Sequence, residues 1–292
     1  LSLFYKDLTD ENYETNFVVY HRRFSTNTVP KWFLAQPMRL ISHNGEINTL
    51  LGNINWMKAR QYAKRSQQDD PKSDYFFSTD DKKAIPYSAK VRSPLVDIER
   101  SDSANLDSVF ENYVRYDRDP EEAIMMLVPE AYQSQPSMKF TPEVADFYSY
   151  YESLQEAWDG PALLVFADGE KVGAMLDRNG LRPARYMVSQ DKEGDKFVHL
   201  MSEVGVTKML EQFEAGKESG ISEDSPKLLE SGRIGPGQIL AVDLKEGTIK
   251  MNDEVKADVA KRFPYAEWKE KALKPVARND DFIQEIEAYT CT

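Results

Sequence analysis

The apolar period of this chain changes once, and the change constrains its fold more than any other feature. As far as Trp158 the large apolar residues recur at helical spacing. Beyond the breaker Asp159-Gly160-Pro161 they fall into short β-rich runs separated by turns. In the first part Ile47, Leu50, Leu51, Ile54 and Met57 predict one helix, with Gly52 inside it at a cost of about 1 kcal/mol. Leu106, Val109, Phe110, Tyr113 and Val114 predict a second, with Asp102 or Ser103 as its cap. Asp119-Pro120-Glu121-Glu122 is a helix start, with cap, proline and glutamate in order. Val144, Phe147, Tyr148, Tyr151 and Trp158 line one face of a further helix. Two β-rich runs, 17–21 and 38–43, interrupt this part.

After the breaker, 162–167 and 171–176 flank Asp168-Gly169 and predict a hairpin. Strands are expected again at 184–188, 197–201, 238–244 and 248–251, with Glu246-Gly247 as a turn. The polar stretch 66–90 reads as an exposed loop, and the tail from Glu254 as a charged helix. Helices early and antiparallel strands late give an α+β fold of stacked sheets flanked by helices.

Composition excludes several function classes. Thirty-seven basic against 49 acidic residues give a formal charge of −12, the wrong sign for a nucleic-acid footprint. A single cysteine, Cys291, forms no intramolecular disulfide and suits a reducing compartment. Apolar runs such as 123–128 and 161–167 are too short to span a bilayer. The opening Leu1-Ser2-Leu3-Phe4-Tyr5 reads like the interior of an element, so a fragment or processed form is expected.

Four features have the residue types of a site, and each also has a structural reading. Arg23, with Ser25 and Thr26 beside it, suits a carboxylate or a strand-end salt bridge. Asn44-Gly45, between a strand and a helix, suits an oxyanion hole or simple turn chemistry. Asp102 suits an ammonium group or a helix cap. The charged loop from Asp177 to Pro183 suits a pocket floor or a turn tied by local ion pairs. His21, His43 and His199 lack metal-ligand spacing, so no metal site is expected. Gly232, Gly235 and Gly237 lack the Lys and Ser/Thr of a phosphate loop. No nucleophile elbow is present.

The order of longer motifs resembles glutamate synthase. It comprises His21-Arg22-Arg23-Phe24-Ser25-Thr26-Asn27-Thr28, Ala35-Gln36-Pro37-Met38-Arg39, His43-Asn44-Gly45-Glu46-Ile47-Asn48-Thr49 and Ser101-Asp102-Ser103-Ala104-Asn105-Leu106-Asp107. Trp158-Asp159-Gly160-Pro161-Ala162, Leu176-Asp177-Arg178-Asn179-Gly180-Leu181-Arg182-Pro183-Ala184-Arg185 and Ser202-Glu203-Val204-Gly205-Val206 continue it. Leu3-Phe4-Tyr5-Lys6-Asp7-Leu8 and the doubled arginine look most like the ferredoxin-dependent branch. The pyridine-nucleotide-dependent branch shares the same domain and is the alternative.

The resemblance implies a class II glutamine amidotransferase domain over residues 1–252, with 253–292 leading toward a central domain. It implies an N-terminal-nucleophile hydrolase fold, an αββα sandwich of antiparallel sheets, incomplete at its N-terminus. L-Glutamine would be hydrolysed to glutamate and ammonia, the ammonia passing to 2-oxoglutarate for reductive glutamate synthesis. Arg23, helped by Thr26, would hold the substrate α-carboxylate. Asn44 and Gly45 would form the oxyanion hole, and Gly45 and Asp102 would receive the α-amino group. The nucleophile implied is an N-terminal cysteine that lies outside this sequence, so the fragment alone is expected to be inactive. A glutamine-binding remnant without catalysis is the other reading. No cofactor is expected here. FMN and an iron–sulfur cluster belong to the synthase region, with the remaining synthase domains and ferredoxin as partners. The compartment expected is a plastid stroma or a cytoplasm.

Overall fold

A computed structural model of the chain describes residues 3–21, 23, 29, 31–67, 95–203 and 226–272. Eight strands form two antiparallel sheets. The strands are β1 (Ile41–Gly45), β2 (Ala162–Ala167), β3 (Lys171–Leu176), β4 (Arg185–Gln190), β5 (Lys196–Met201), β6 (Lys227–Arg233), β7 (Ile239–Asp243) and β8 (Thr248–Lys250). The first sheet has the order β1-β2-β3-β7-β8 and the second β5-β4-β6. The helices are α1 (Leu50–Gln67), α2 (Asp102–Arg115), α3 (Pro120–Leu127), α4 (Pro142–Glu152), α5 (Asn252–Lys261) and α6 (Tyr265–Ala272).

Alternation along the strands sorts the core into two layers. Leu163, Ala174, Leu176 and Leu240 face the second sheet, where Ala184, Tyr186, Val188 and Ile234 meet them. Ile41, Leu164, Phe166, Met175 and Ile239 face the other way, against Phe110, Ile124, Phe147 and Val255 of the helices. Both faces of the first sheet are therefore covered, which is why β2 reads as an unbroken apolar run. Met187 and Met201, with Leu228, mark the outer face of the second sheet. The helical layer expected on that face falls outside the described residues. Residues 252–272 pack on the helical side, where Val255, Val259 and Tyr265 are each at most 2% exposed.

The hairpin forms as its sequence requires. Ala167 pairs with Val172, and the turn residue Gly169 has φ +105°. Other expectations are corrected. Residues 17–21 form no strand: Val18 and Tyr20 are 72% and 61% exposed, and among the described residues no neighbouring strand offers a ladder. β-Propensity without a partner does not make a strand. The second run is shifted, so that Asn44 and Gly45 end β1 rather than follow it. Ile47 precedes α1, and Leu51 points to solvent. Ser101, not Asp102 or Ser103, caps α2, its hydroxyl accepting from the Ala104 N–H at 3.1 Å. Asp119 makes no capping bond; its carboxylate pairs with Lys171 and Arg262. α4 ends at Glu152, and Trp158 is buried beyond it, its N–H donating to the Leu127 carbonyl at 2.7 Å. β6 was not expected. Its Gly232 lies in the strand rather than in a glycine-rich turn, because a Cβ there would come within 2.7 Å of the Tyr186 ring. The polar loop expected from 66 begins as the last turn of α1, and 68–90 lie outside the described residues.

Candidate functional site

Among the described residues β1 is an edge strand, and its open side builds the candidate site. In an antiparallel ladder alternate residues point their N–H and C=O away from the partner strand. The Glu46 N–H donates to the Pro161 carbonyl, and the Ala167 N–H to the Leu40 carbonyl, so the even-numbered residues of β1 face β2. Ile41, His43 and Gly45 therefore turn their N–H groups to the open edge. The first two are satisfied there: Ile41 by Asp107 Oδ1 at 2.9 Å, His43 by Gln36 Oε1. Gly45 is next in the row, and its N–H has no partner among the described residues. A donor held rigidly by the strand and left unpaired is what an oxyanion needs.

Gly45 is also the only residue type this backbone accepts. Its φ is +152°, and a Cβ would lie 1.9 Å from the Pro161 carbonyl oxygen. Across the contact a Cβ on Gly160 would lie 1.9 Å from the Glu46 carbonyl oxygen. Two turns thus press backbone to backbone. Asn48 N–H donates to the Asp159 carbonyl at 2.7 Å, and Asp159 N–H to Thr49 Oγ1 at 2.9 Å. Asn44 pairs with Leu163, whose side chain faces the second sheet, so Asn44 faces the gap between the sheets. Its half-buried carboxamide makes no hydrogen bond among the described residues.

Asp102 reaches the same end of the sheet from the first turn of α2. Its Oδ2 accepts the Ile47 N–H at 2.9 Å, and its Oδ1 accepts the Ser103 N–H at 2.7 Å and hydroxyl at 3.2 Å. A carboxylate has about four lone-pair sites. Three are used, and the side chain remains 24% exposed, so one acceptor position is open to a cationic ligand. Against it stands His43, 2% exposed, with Nδ1 2.8 Å from Ser103 Oγ and 4.0 Å from Asp102 Oδ2. Burial pulls the His43 pKa below its ordinary value. Asp102 and Glu46 oppose that, while Arg182 and His21 reinforce it.

Asp177, fully buried, knots the surrounding loops. Its carboxylate accepts from Ala162 and Asn179, at 2.9 and 2.8 Å, and its carbonyl from Gly180 and Gly237. Arg178 beside it pairs with Asp159. The loop, read as a pocket floor or channel or as a turn tied by local ion pairs, braces the Gly45 turn and carries one such pair. Asp107, buried, takes the N–H groups of Arg39, Leu40 and Ile41. Burial raises its pKa, against the pull of those donors.

Of the residues singled out from sequence, the structure brings Asn44, Gly45 and Asp102 together. Arg23 is exposed, its N–H donating to His21 Nδ1 at 3.2 Å, with no contact to the other three among the described residues. Thr26 lies outside the described residues. His43, Ser103 and Gln36 were missed. His43 adjoins Asn44 and Ser103 adjoins Asp102, but Gln36 carries no such signal, and by spacing alone the histidine suggests only metal ligation. No cluster of potential metal ligands is present among the described residues. No described helix is long and apolar enough to cross a membrane.

Residues 1–268 match the family model of the class II glutamine amidotransferases, and the chain belongs to that family. Its curated relatives are glutamate synthases. It is 47% identical over 268 residues to the ferredoxin-dependent glutamate synthase of Antithamnion sp., covering 92% of this chain and 15% of that protein. It is 48% identical over 290 residues to ferredoxin-dependent glutamate synthase 2 of Synechocystis sp., covering 97% and 16%. Against ferredoxin-dependent glutamate synthase 1, chloroplastic/mitochondrial, of Arabidopsis thaliana the identity is 46% over 291 residues, covering 98% and 16%. The chain therefore spans about 15% of the length of these relatives. Among solved structures, glutamine phosphoribosylpyrophosphate amidotransferase from B. subtilis aligns with 79% of this chain and 33% of its own at 16% identity, with a TM-score of 0.31.

Proposed function

We propose that this domain hydrolyses L-glutamine to glutamate and ammonia within a ferredoxin-dependent glutamate synthase. The observation that carries the reading is the Gly45 N–H beside the Asn44 carboxamide, both without a partner among the described residues, with the open acceptor of Asp102 at the same sheet end. One amide donor and one carboxamide donor suit a tetrahedral oxyanion, and one free carboxylate position suits an α-ammonium group.

In this reading a cysteine thiolate adds to the side-chain amide carbon of glutamine. The carbonyl oxygen becomes an oxyanion, held by Asn44 Nδ2–H and Gly45 N–H. The C–N bond then breaks, ammonia leaves with a proton from the nucleophile's own α-amino group, and a thioester remains. Water attacks the thioester and releases glutamate and the thiol. Asp102 and the Gly45 carbonyl take the substrate α-ammonium. Arg23 and Thr26 take the α-carboxylate in this reading. The cysteine is not Cys291, which follows the span matched by the family model. The nucleophile in this reading is the family's N-terminal cysteine.

The relatives' names support ferredoxin dependence, and the family resemblance carries the rest of the reading. Ferredoxin would be the electron donor, FMN and an iron–sulfur cluster would lie in other domains, and 2-oxoglutarate would receive the ammonia there. The relatives from Synechocystis sp. and from chloroplasts support a cytoplasm or a plastid stroma as the compartment.

The test is to treat the full-length protein with a glutamine-mimicking diazoketone and map the adduct by peptide mass spectrometry. The expected result is one adduct on an N-terminal cysteine, blocked by excess glutamine. An adduct on Cys291, or undiminished glutaminase activity without any cysteine adduct, overturns the reading.

A further inference from the structure

We propose that His43 is a positioning residue for the ammonium site: through Ser103 it fixes the Asp102 carboxylate while leaving the negative charge of that carboxylate uncancelled. The proposal rests on the reading of Asp102 as the α-ammonium acceptor.

The geometry is a three-member chain. Ser103 Oγ donates to Asp102 Oδ1 at 3.2 Å, so its lone pair is left to accept from His43 Nδ1–H at 2.8 Å. That direction makes Nε2 the unprotonated nitrogen, and Nε2 is buried without a partner among the described residues. A neutral imidazole tolerates a buried lone pair better than a buried unpaired N–H charge. The chain is also anchored at both ends. His43 sits on β1, its N–H fixed by Gln36, and Asp102 is pinned to the Ile47 N–H. Rotation of the Ser103 hydroxyl or of the carboxylate plane therefore breaks at least one bond.

The identity of the residue matters for charge. A cation 4.0 Å from Asp102 would compete with a ligand ammonium for the same carboxylate. The groups facing His43 are Asp102 and Ser103 from α2, Arg182 from the β3–β4 loop, His21 from the N-terminal segment, and Glu46 after β1. Burial together with Arg182 and His21 outweighs the two carboxylates and keeps the ring neutral. A donor that carries no charge at working pH is thus placed where lysine or arginine would neutralise the site. Protonation of His43 at lower pH weakens ammonium binding, so the KM for glutamine rises on acidification while kcat changes less.

The experiment uses the full-length synthase and its glutaminase activity. His43→Leu keeps bulk and removes the donor. His43→Asn places an amide N–H where Nδ1–H stood. Ser103→Ala removes the link with minimal change of volume. His43→Leu and Ser103→Ala are expected to raise the KM for glutamine about tenfold, the scale of one misaligned charge-assisted hydrogen bond, with kcat within about twofold. The double variant adds nothing further, and His43→Asn restores KM to within about twofold of the parent. Inhibition by 4-carbamoylbutanoate, glutamine without its α-amino group, is expected to be unchanged in every variant.

Equal losses for glutamine and for the deaminated analogue overturn the inference, because the effect then lies elsewhere. So does a His43→Asn enzyme as impaired as His43→Leu. If His43→Leu does not fold, Ser103→Ala alone decides by the same two ratios. Asp102→Asn separates this inference from the reading beneath it. If Asp102→Asn leaves the glutamine KM unchanged, the ammonium assignment is wrong. If it raises KM while His43→Leu and Ser103→Ala do not, only the role of His43 falls.

Discussion

At Gly45 two constraints coincide, and they make separate predictions with Asn44. The positive φ and the 1.9 Å approach to the Pro161 carbonyl leave no room for a Cβ. Gly45→Ala is expected to destabilise the domain by about 3 kcal/mol or more, through backbone strain and a backbone clash together. A lowered thermal midpoint with lost glutaminase activity is the measurement. Asn44 has no side-chain partner to lose among the described residues, so Asn44→Ala is expected to melt normally. Its kcat should nonetheless fall about 10²–10³-fold, the usual cost of one oxyanion donor. A kcat near the parent's would remove Asn44 from the site. The histidines give a pH prediction with a definite sign. His43 and His199 both have folded pKa values below the ordinary 6.5, each through burial. Neutral buried imidazole contributes stability that is present above 6.5 and is lost as pH falls through the folded values. Denaturant midpoints should therefore drop on acidification below about 6.5. The His43→Asn, His199→Asn pair should flatten that part of the profile.

Between residue and fold, the knot at Asp177 ties four N–H groups from three segments. Removing its carboxylate leaves the Ala162 and Asn179 N–H groups without their acceptor. Asp177→Ala is expected to cost about 1–3 kcal/mol per stranded donor that water cannot reach, read from urea unfolding. A change below about 0.5 kcal/mol would mean the loops hold without it. The same comparison explains what the sequence made legible. β2, β3 and their hairpin follow from local periodicity and a turn residue that must take positive φ, so they were readable to the residue. Buried faces of α2 and α4 followed from helical spacing in the same way. β6 was not readable, because Lys227, Glu230 and Ser231 alternate only weakly with apolar residues and Gly232 imitates a turn. Residues 17–21 failed in the opposite sense, having strand composition without a strand to pair with. At the site, Asn44, Gly45 and Asp102 stood out as residue types. The open edge that makes Gly45 a donor is a property of sheet order, which no local pattern encodes. His43 and Ser103 were hidden for the same reason: they matter through contacts across 60 residues of sequence.

On the scale of the molecule, α5 and α6 behave as part of the amidotransferase core. Tyr265 is 2% exposed among Phe147, Tyr150, Tyr151 and Trp268, with ring centroids 5.2 to 5.9 Å away. Its hydroxyl donates to Glu122 Oε1 at 3.2 Å, and Glu122 is also held by Tyr151 at 2.8 Å and by Arg118. In α5, Lys256 Nζ lies 2.6 Å from Glu130 Oε1, both side chains at most 6% exposed. Burial lowers the Lys256 pKa, and Glu130 pulls it back up. A buried pair of this kind need not add stability over an apolar pair, but losing one partner strands the other charge. A chain ending at 251 would lose the Tyr265 ring, expose Ile239 and Ala241, and leave both Glu122 and Glu130 short of partners. We propose that the folding unit includes residues 252–272 rather than closing at 252. Tyr265→Ala should cost about 3–5 kcal/mol from the vacated ring volume. Lys256→Ala should cost about 3–5 kcal/mol from the stranded Glu130 carboxylate. The Lys256→Met, Glu130→Leu double variant should recover most of the second loss, since it removes both charges and keeps the volume. Melting curves for the four proteins decide the point. A chain cut at 251 that melts cooperatively at the parental temperature would show that these helices belong to whatever follows.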